Sequence, residues 1–125
     1  MMANIFIVED DISLRVLYEK ALNMKGYQVI ASAKNGKEAI EMFKKFHQKP
    51  DVIIMDHRMP LKNGLQVTKE MLEIDKSLKI IFISADQTIR EEALSMGVIN
   101  FTDKPCSVQK LYRNIEDALR VPKIY

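Results

Sequence analysis

Acidic residues, a lysine and a serine stand where short apolar runs stop. Asp56 closes the run Asp51-Val52-Ile53-Ile54-Met55 and leads into His57-Arg58-Met59-Pro60. Glu9-Asp10-Asp11 follows Ile5-Phe6-Ile7-Val8, Ser84 follows Ile80-Ile81-Phe82-Ile83, and Lys104-Pro105 follows the run from Val98 to Phe101. Carboxylates gathered at one place repel one another when ionised, so at least one pKa must rise unless something neutralises them. A hard divalent cation such as Mg²⁺ does so through oxygen ligands while keeping several waters. Such a cation also bridges to a phosphoryl oxygen and positions it for in-line transfer. Within that chemistry Asp56 is a candidate nucleophile that forms an acyl phosphate. Lys104 supplies a compact positive charge, and Ser84 a hydroxyl donor.

These residues meet only if their strands lie side by side. The spacing predicts a buried strand over 4–8 and a helix over 13–25 with Leu14, Leu17, Ala21 and Leu22 on one face. Gly26 stops that helix. A strand follows over 27–31, then a helix capped by Asn35 with Glu38 as capping-box partner. Its buried face is Ala39, Ile40, Phe43 and Phe46 or His47. A strand over 51–55 comes next, and Gly64 opens a helix with Leu65, Thr68, Met71 and Leu72 inward. A strand lies within 79–84, and Asp86 caps a helix carrying Ile89, Ala93 and Leu94 that Gly97 stops. The last pair is a strand over 98–101 and a helix capped by Ser107, with Val108, Leu111, Ile115, Ala118 and Leu119 on one face. Pro122 ends it.

Five strands alternating with five helices imply an α/β fold with a parallel sheet covered on both faces. Ligands of such sheets bind beyond the carboxyl ends of the strands, where strand order reverses. Glu9, Asp10, Asp56, Ser84 and Lys104 all follow expected strands, so one topology gathers them into one crevice.

Each residue also has an ordinary explanation. Glu9, Asp10 and Asp11 can be solvated acids placed favourably before a helix N-terminus, and for Asp11 that reading is preferred. Asp56 alone can be a turn-opening aspartate ahead of Met59-Pro60, Ser84 a strand-end serine, and Lys104 a solvent lysine. None of these explains the matching positions of the whole set. His57 points away from its neighbour Asp56 on leaving the strand and is read as a surface or packing residue. The eight methionines are core filler and helix-face residues.

The 125 residues suit one domain spanning 1–125, and 47% apolar composition is enough for an ordinary core. The net charge of +2, with Lys and Arg spread along the chain, argues against nucleic-acid binding as the main task. Cys106 is the single cysteine, which fits a reducing, cytoplasmic setting. The N-terminus lacks the pattern of a signal peptide, and no apolar run approaches the roughly 20 residues that span a bilayer.

The run Ile5-Phe6-Ile7-Val8-Glu9-Asp10-Asp11, then Asp56 with Met59-Pro60 and Gly64, then Ser84-Ala85, then Lys104-Pro105, resembles the receiver domain of two-component response regulators. The resemblance covers essentially the whole chain, and the set is far more specific than any one motif. In length the chain resembles stand-alone receivers of the chemotaxis and sporulation-phosphorelay type, with no output domain. The resemblance implies a doubly wound, flavodoxin-like (βα)5 sheet in the order 2-1-3-4-5, an order the pattern by itself does not supply. It implies that Asp56 accepts phosphate from a sensor histidine kinase or a histidine phosphotransfer protein, and that this is signalling rather than turnover of a substrate. It implies Mg²⁺ held by Asp10 and Asp56, with Glu9 acting through water and the backbone carbonyl of Arg58 as a further ligand. Lys104 would contact the phosphoryl group, with a cis bond to Pro105. Ser84 and Phe101 would be the switch pair, Ser84 moving toward the phosphate and Phe101 turning inward. The surface of the fourth helix, fifth strand and fifth helix would then change for a protein partner.

Departures from the pattern matter. Ser84 stands where threonine is commoner but keeps the hydroxyl. Arg58 and Asp86, two residues after Asp56 and Ser84, occupy positions that in the family tune how fast the phosphoryl group is lost. Arg58 either shields the acyl phosphate from water or pairs with Asp86 across the crevice, and its ordinary explanation is an exposed arginine with no kinetic effect. Cys106 replaces a frequent phenylalanine, and Asp103 points away from its neighbour Lys104. Three other functions compete. The chain could be the receiver half of a DNA-binding regulator, but no helix-turn-helix follows in these residues. An aspartyl-nucleophile phosphohydrolase of the haloacid-dehalogenase type needs a second Asp two residues after the first, where this chain has Arg58. A flavin-binding role lacks a hydroxyl- or glycine-rich phosphate loop after the first strand.

Overall fold

The computed structural model describes residues 2–122. Strands and helices alternate as β1 (Asn4–Val8), α1 (Ile12–Met24), β2 (Gln28–Ala33), α2 (Gly36–Lys45), β3 (Val52–Met55), α3 (Gly64–Ile74), β4 (Ile80–Ser84), α4 (Arg90–Met96), β5 (Asn100–Asp103) and α5 (Val108–Arg120). The strands form one parallel sheet in the order β2-β1-β3-β4-β5. This is the doubly wound order, with its reversal between β1 and β3. Among the described residues no helix is long and apolar enough to cross a membrane.

Alternation of side chains along each strand builds two cores. Phe6 and Val8 of β1, Ile53 and Met55 of β3, and Ile80 and Phe82 of β4 face α2, α3 and α4, meeting Phe43, Met71 and Ala93. Ile5, Ile7, Val52, Ile54, Ile81 and Ile83 face the other way, onto Tyr18 and Leu22 of α1 and Leu111 and Ile115 of α5. Strands buried on both faces must be apolar at every position, which is why β3 and β4 read as unbroken hydrophobic runs.

The helices start on polar caps. Asp11, Asn35, Asn63 and Ser107 each accept from a backbone N–H in the first turn of the helix that follows. Asn63 and Gln66 make a reciprocal capping box. The box expected at Asn35 is only half formed. Asn35 caps Glu38 N–H, but the Glu38 carboxylate accepts from Lys34 N–H.

Several expectations shift by a residue or two. Helix α1 begins at Ile12, and its buried face uses Tyr18 (2% exposed) where Leu17 was expected; Leu17 is 45% exposed. Both positions suit a helical stripe, and packing against β1 and α5 selects the larger ring. Strand β2 runs on to Ala33, and β5 begins at Asn100, two residues later than expected. Val98 is buried but lies in the connection, so its apolar character reflects core contact rather than strand pairing. Asp86 caps a single 3₁₀ turn, Gln87–Ile89, before α4 proper. Leu94 and Leu119 are on exposed surface, and His47 is exposed while Phe46 packs on the core. In α5, Asn114 is buried and donates to the Thr102 hydroxyl at 2.8 Å.

Candidate functional site

The site is an extension of the sheet's hydrogen-bond ladder. Val8 pairs with Met55, so Glu9 and Asp56 leave adjacent strands at the same level, and Asp56 N–H donates to Val8 carbonyl at 2.9 Å. Ser84 pairs with Asp103, which puts Lys104 next, its N–H donating to Ser84 carbonyl at 3.0 Å. Glu9 N–H closes on Ala33 carbonyl at 3.0 Å. Register alone therefore brings the acidic pair and the lysine to one edge.

Side chains then converge. Lys104 Nζ lies 2.9 Å from Glu9 Oε1 and 3.2 Å from Asp56 Oδ1. Glu9 Oε2 accepts from Asp11 N–H at 3.1 Å, so both Glu9 oxygens are engaged. Asp56 Oδ1 also accepts from His57 N–H at 2.9 Å. Glu9 is 1% and Asp56 4% exposed, while Asp10 is open to solvent. A cleft of about 320 Å³ is lined by Asp10, Asp56, Arg58, Ser84, Ala85 and Lys104, with Asp11 at its side. Asp11 is exposed just before α1, the placement preferred for it, and goes beyond that reading by capping the helix.

Burial and the charge of Glu9 push the Asp56 carboxyl up to about 7, against a lowering by Lys104. For Lys104 burial works downward, but hydrogen bonding to Glu9 and the charges of Asp56 and Glu9 raise it overall, so it stays a cation. Burial lowers the His57 imidazole and raises the Cys106 thiol. His57 is buried with Nδ1 unpartnered, in keeping with packing rather than acid–base work.

Gly64 explains the geometry around Asp56. A Cβ there would stand 2.2 Å from Asp56 carbonyl oxygen and 2.8 Å from His57 Cα. Its own N–H donates to His57 carbonyl at 2.8 Å. Only a residue without a side chain lets α3 start this close to the Asp56 peptide. Within the same loop Leu61 takes φ +74°.

The remaining predicted residues occupy the rim. Ser84 is buried at the end of β4, and its Oγ accepts from Asp86 N–H at 3.0 Å. Arg58 Nη2 lies 3.6 Å from Asp86 Oδ2, so the pairing across the crevice is formed. Hydrogen bonds from Thr88 hold the Asp86 carboxyl below its ordinary value. The Lys104-Pro105 bond is cis. Phe101 already points inward, its ring stacked on Phe82 at 6.0 Å between centroids. Asp103 is exposed, as expected.

Two arginines that the sequence did not single out touch this machinery. Arg90 places its guanidinium 5.8 Å from the Phe101 ring centroid and donates to Phe101 carbonyl at 3.4 Å. Arg15 reaches back from α1 to the carbonyl oxygens of Glu9 and Asp10. No pattern of apolar residues reports such contacts, since a long polar side chain on a helix looks the same whether it meets water or a carbonyl.

The family model of the response regulator receiver domain matches residues 5–116. The chain belongs to that family. It is a receiver domain of two-component signalling, and among its relatives are stand-alone receivers. It is 38% identical over 103 residues to the chemotaxis protein CheY of Thermotoga maritima, covering 81% of this chain and 84% of that protein. It is 32% identical to CheY of Bacillus subtilis, covering 95% of this chain and 99% of that protein. Among solved structures, the response regulator protein TrrA from Thermotoga maritima, in complex with Mg²⁺-BeF, is 29% identical with a TM-score of 0.84 over 94% of this chain and all of that one.

The donor set suits a hard cation. Glu9, Asp10 and Asp56 each offer a carboxylate oxygen, and these atoms lie within 4.8 Å of one another. One side of the cluster is open through Asp10, which suits an ion that retains water.

Proposed function

We propose that Asp56 is the phosphoacceptor of this receiver and takes the group from a phosphohistidine donor with the help of Mg²⁺. The observation that carries the reading is the bracketing of Lys104 by Glu9 and Asp56, at 2.9 and 3.2 Å, in a cleft that also holds Asp10 and Ser84. Asp10 and Asp56 would hold the cation, with Glu9 reaching it through water and the carbonyl of Arg58 adding a ligand. When bound, the cation neutralises the acidic cluster and shields the charge on the transferring group.

The protein's own groups supply the rest. Asp56 must be ionised to attack, and burial beside Glu9 opposes that, so neutralisation of the cluster and Lys104 both favour the reactive form. A carboxylate oxygen of Asp56 forms a bond to phosphorus as the P–N bond to the donor histidine breaks, and that electron pair returns to the imidazole. Lys104, already turned toward Asp56, exchanges part of its carboxylate contact for the phosphoryl oxygens. Ser84 gives its free O–H to another of those oxygens. That hydroxyl accepts from Asp86 N–H, so its shift draws the loop before α4 inward. Phe101 belongs to β5 and lies under Arg90 of α4, so it joins two elements of the surface of α4, β5 and α5, which would change for a protein partner.

Arg58, which lines the cleft, and its partner Asp86 would tune self-dephosphorylation. The donor is a sensor histidine kinase or a histidine phosphotransfer protein, the downstream target is a protein, and the setting is cytoplasmic. No step requires nucleic acid.

Incubation with Mg²⁺ and acetyl phosphate, followed by intact-mass measurement, should add a single phosphate. Asp56→Asn should add none. Absence of an adduct on the parent chain, or its persistence in Asp56→Asn, refutes the assignment.

A further inference from the structure

We infer that Arg15 is a positioning residue for the acidic loop: anchored on α1, its guanidinium grips the Glu9 and Asp10 carbonyls and so sets where the Asp10 carboxylate stands beside Asp56. Arg15 Nη1 donates to Glu9 carbonyl at 2.9 Å and reaches Asp10 carbonyl at 3.5 Å. This rests on the cation-assisted reading above.

The two carbonyls lie in a gap between regular elements. Strand β1 ends at Val8, and the first α1 hydrogen bond runs from Arg15 N–H to Asp11 carbonyl at 2.9 Å. Glu9 still extends the ladder through its N–H, but the carbonyls of Glu9 and Asp10 lie beyond it and before the helix. A backbone carbonyl next to a buried side chain needs a donor, and Arg15 supplies it from one turn ahead. The loop is then held at three points: Glu9 Oε2 accepts from Asp11 N–H, Asp11 caps Leu14 N–H, and Arg15 closes over the outer side.

The choice of partner is informative. Three carboxylates lie in the same loop, yet among the described residues Arg15 forms no ion pair. Its side chain therefore leaves the Asp10 carboxylate free while fixing the peptides that carry it. Asp10 needs this more than Glu9 or Asp56 does. Those two are buried and tied to Lys104, whereas Asp10 is exposed and its side chain meets only the Asp56 carboxyl, so its placement leans on the backbone that carries it. Outer contacts that orient a metal ligand typically change affinity by about 10- to 100-fold when lost.

Charge alone predicts the opposite. A guanidinium near a divalent-cation site repels the cation, so its removal would tighten binding. Both contacts come from one nitrogen, Nη1, at the end of the longer arginine side chain. Lysine keeps the charge as a compact ammonium on a shorter stem that falls short of the two carbonyls. Arg15→Ala and Arg15→Lys therefore separate the two effects.

Mg²⁺ titration of the full chain, followed by calorimetry and amide NMR shifts, is the first measurement. The expected result is about tenfold weaker Mg²⁺ binding in both variants, with thermal unfolding little changed. Tighter binding in Arg15→Ala with unchanged binding in Arg15→Lys, or unchanged binding in both, overturns the inference. The second measurement needs no metal. Amide exchange at Asp10 and Asp11 in the metal-free protein should quicken several-fold in both variants, and equal rates also overturn it. If the parent chain itself takes up no Mg²⁺, the cation reading fails, and the exchange measurement still decides whether Arg15 holds the loop.

Discussion

The floor and the rim of the cleft are built differently. On the floor, Glu9, Asp56 and Lys104 continue the hydrogen-bond ladder of three strands, are largely buried, and hold one another at 2.9 and 3.2 Å. On the rim, Arg58 and Asp86 belong to loops, and their ion pair spans 3.6 Å with the arginine side chain 76% exposed. Charges on the floor are poorly screened and act on one another strongly, so under the proposed function they would decide whether an acyl phosphate can form. Charges on the rim are hydrated and contribute little energy, so under the same proposal they would act on access to the site and on how long the group survives.

The largest expected effect comes from breaking the floor. Lys104→Met leaves Glu9 and Asp56 buried without their cation, and should cost about 3 kcal/mol at pH 8 by urea unfolding. The cost should shrink at pH 5, where the orphaned acids bind a proton. A loss that is the same at both pH values would mean the lysine acts by packing instead of charge.

Gly64→Ala comes next. Its Cβ would collide with Asp56 carbonyl oxygen at 2.2 Å, so the acceptor loop or α3 must move. About 2 kcal/mol of stability should be lost, together with most phosphorylation by acetyl phosphate. Retention of full phosphorylation would show that the loop yields without disturbing the acceptor.

Asp56→Asn should act in the opposite direction in metal-free buffer. The Asp56 carboxyl is pushed up to about 7 from an ordinary value of 3.8, so its ionisation disfavours the folded state. That penalty is absent below the unfolded value, grows as pH rises, and is complete above about 7. Asn escapes it. A gain on the order of 1 kcal/mol should therefore appear between pH 4 and pH 8, and Mg²⁺ should abolish the advantage by stabilising the parent chain alone. A thermal-shift series in EDTA and in Mg²⁺ tests both parts; a gain independent of pH would contradict the crowding of acids on the floor.

The smallest stability effect belongs to the rim. Arg58→Ala should change unfolding by less than about 0.5 kcal/mol. The half-life of the phosphorylated protein should nevertheless change several-fold, as followed by loss of the phosphate mass after the donor is removed. Equal lifetimes would remove the rim from the kinetics and leave the floor to set both formation and decay.

Much of this contrast could be read from the chain. Asp56, Glu9 and Ser84 were legible because each directly follows an apolar run, and a run buried on both sheet faces can end only where polar chemistry begins. Lys104 stands a little further on, after Phe101-Thr102-Asp103. The helix starts at Asp11, Asn35, Asn63 and Ser107 obey local capping rules, although only Asn35 and Ser107 were singled out. What went astray lay between equally apolar choices. Leu17 and Tyr18 both fit a helical stripe, and Val98 is as apolar as a strand residue while sitting in a connection. Glu38 turned to Lys34 rather than to its expected partner, because two backbone donors stood within its reach. Arg15 and Arg90 had no local signal at all, as their targets lie in other elements or loops.

The sequence by itself determined the alternation of strands and helices, the two-faced burial of the sheet, and the set of residues that stand at its carboxyl edge. Those follow from period, capping chemistry and the apolar demand of buried strands, all of which act over a few residues. Only the tertiary structure decided that Lys104 is shared between Glu9 and Asp56, that Arg58 meets Asp86, that Phe101 lies inward beneath Arg90, and that Arg15 closes on the acidic loop. Such contacts join residues from separate strands and loops, or reach back along a helix. Strand register and packing set them to within a fraction of an ångström, and neither is encoded at any one position.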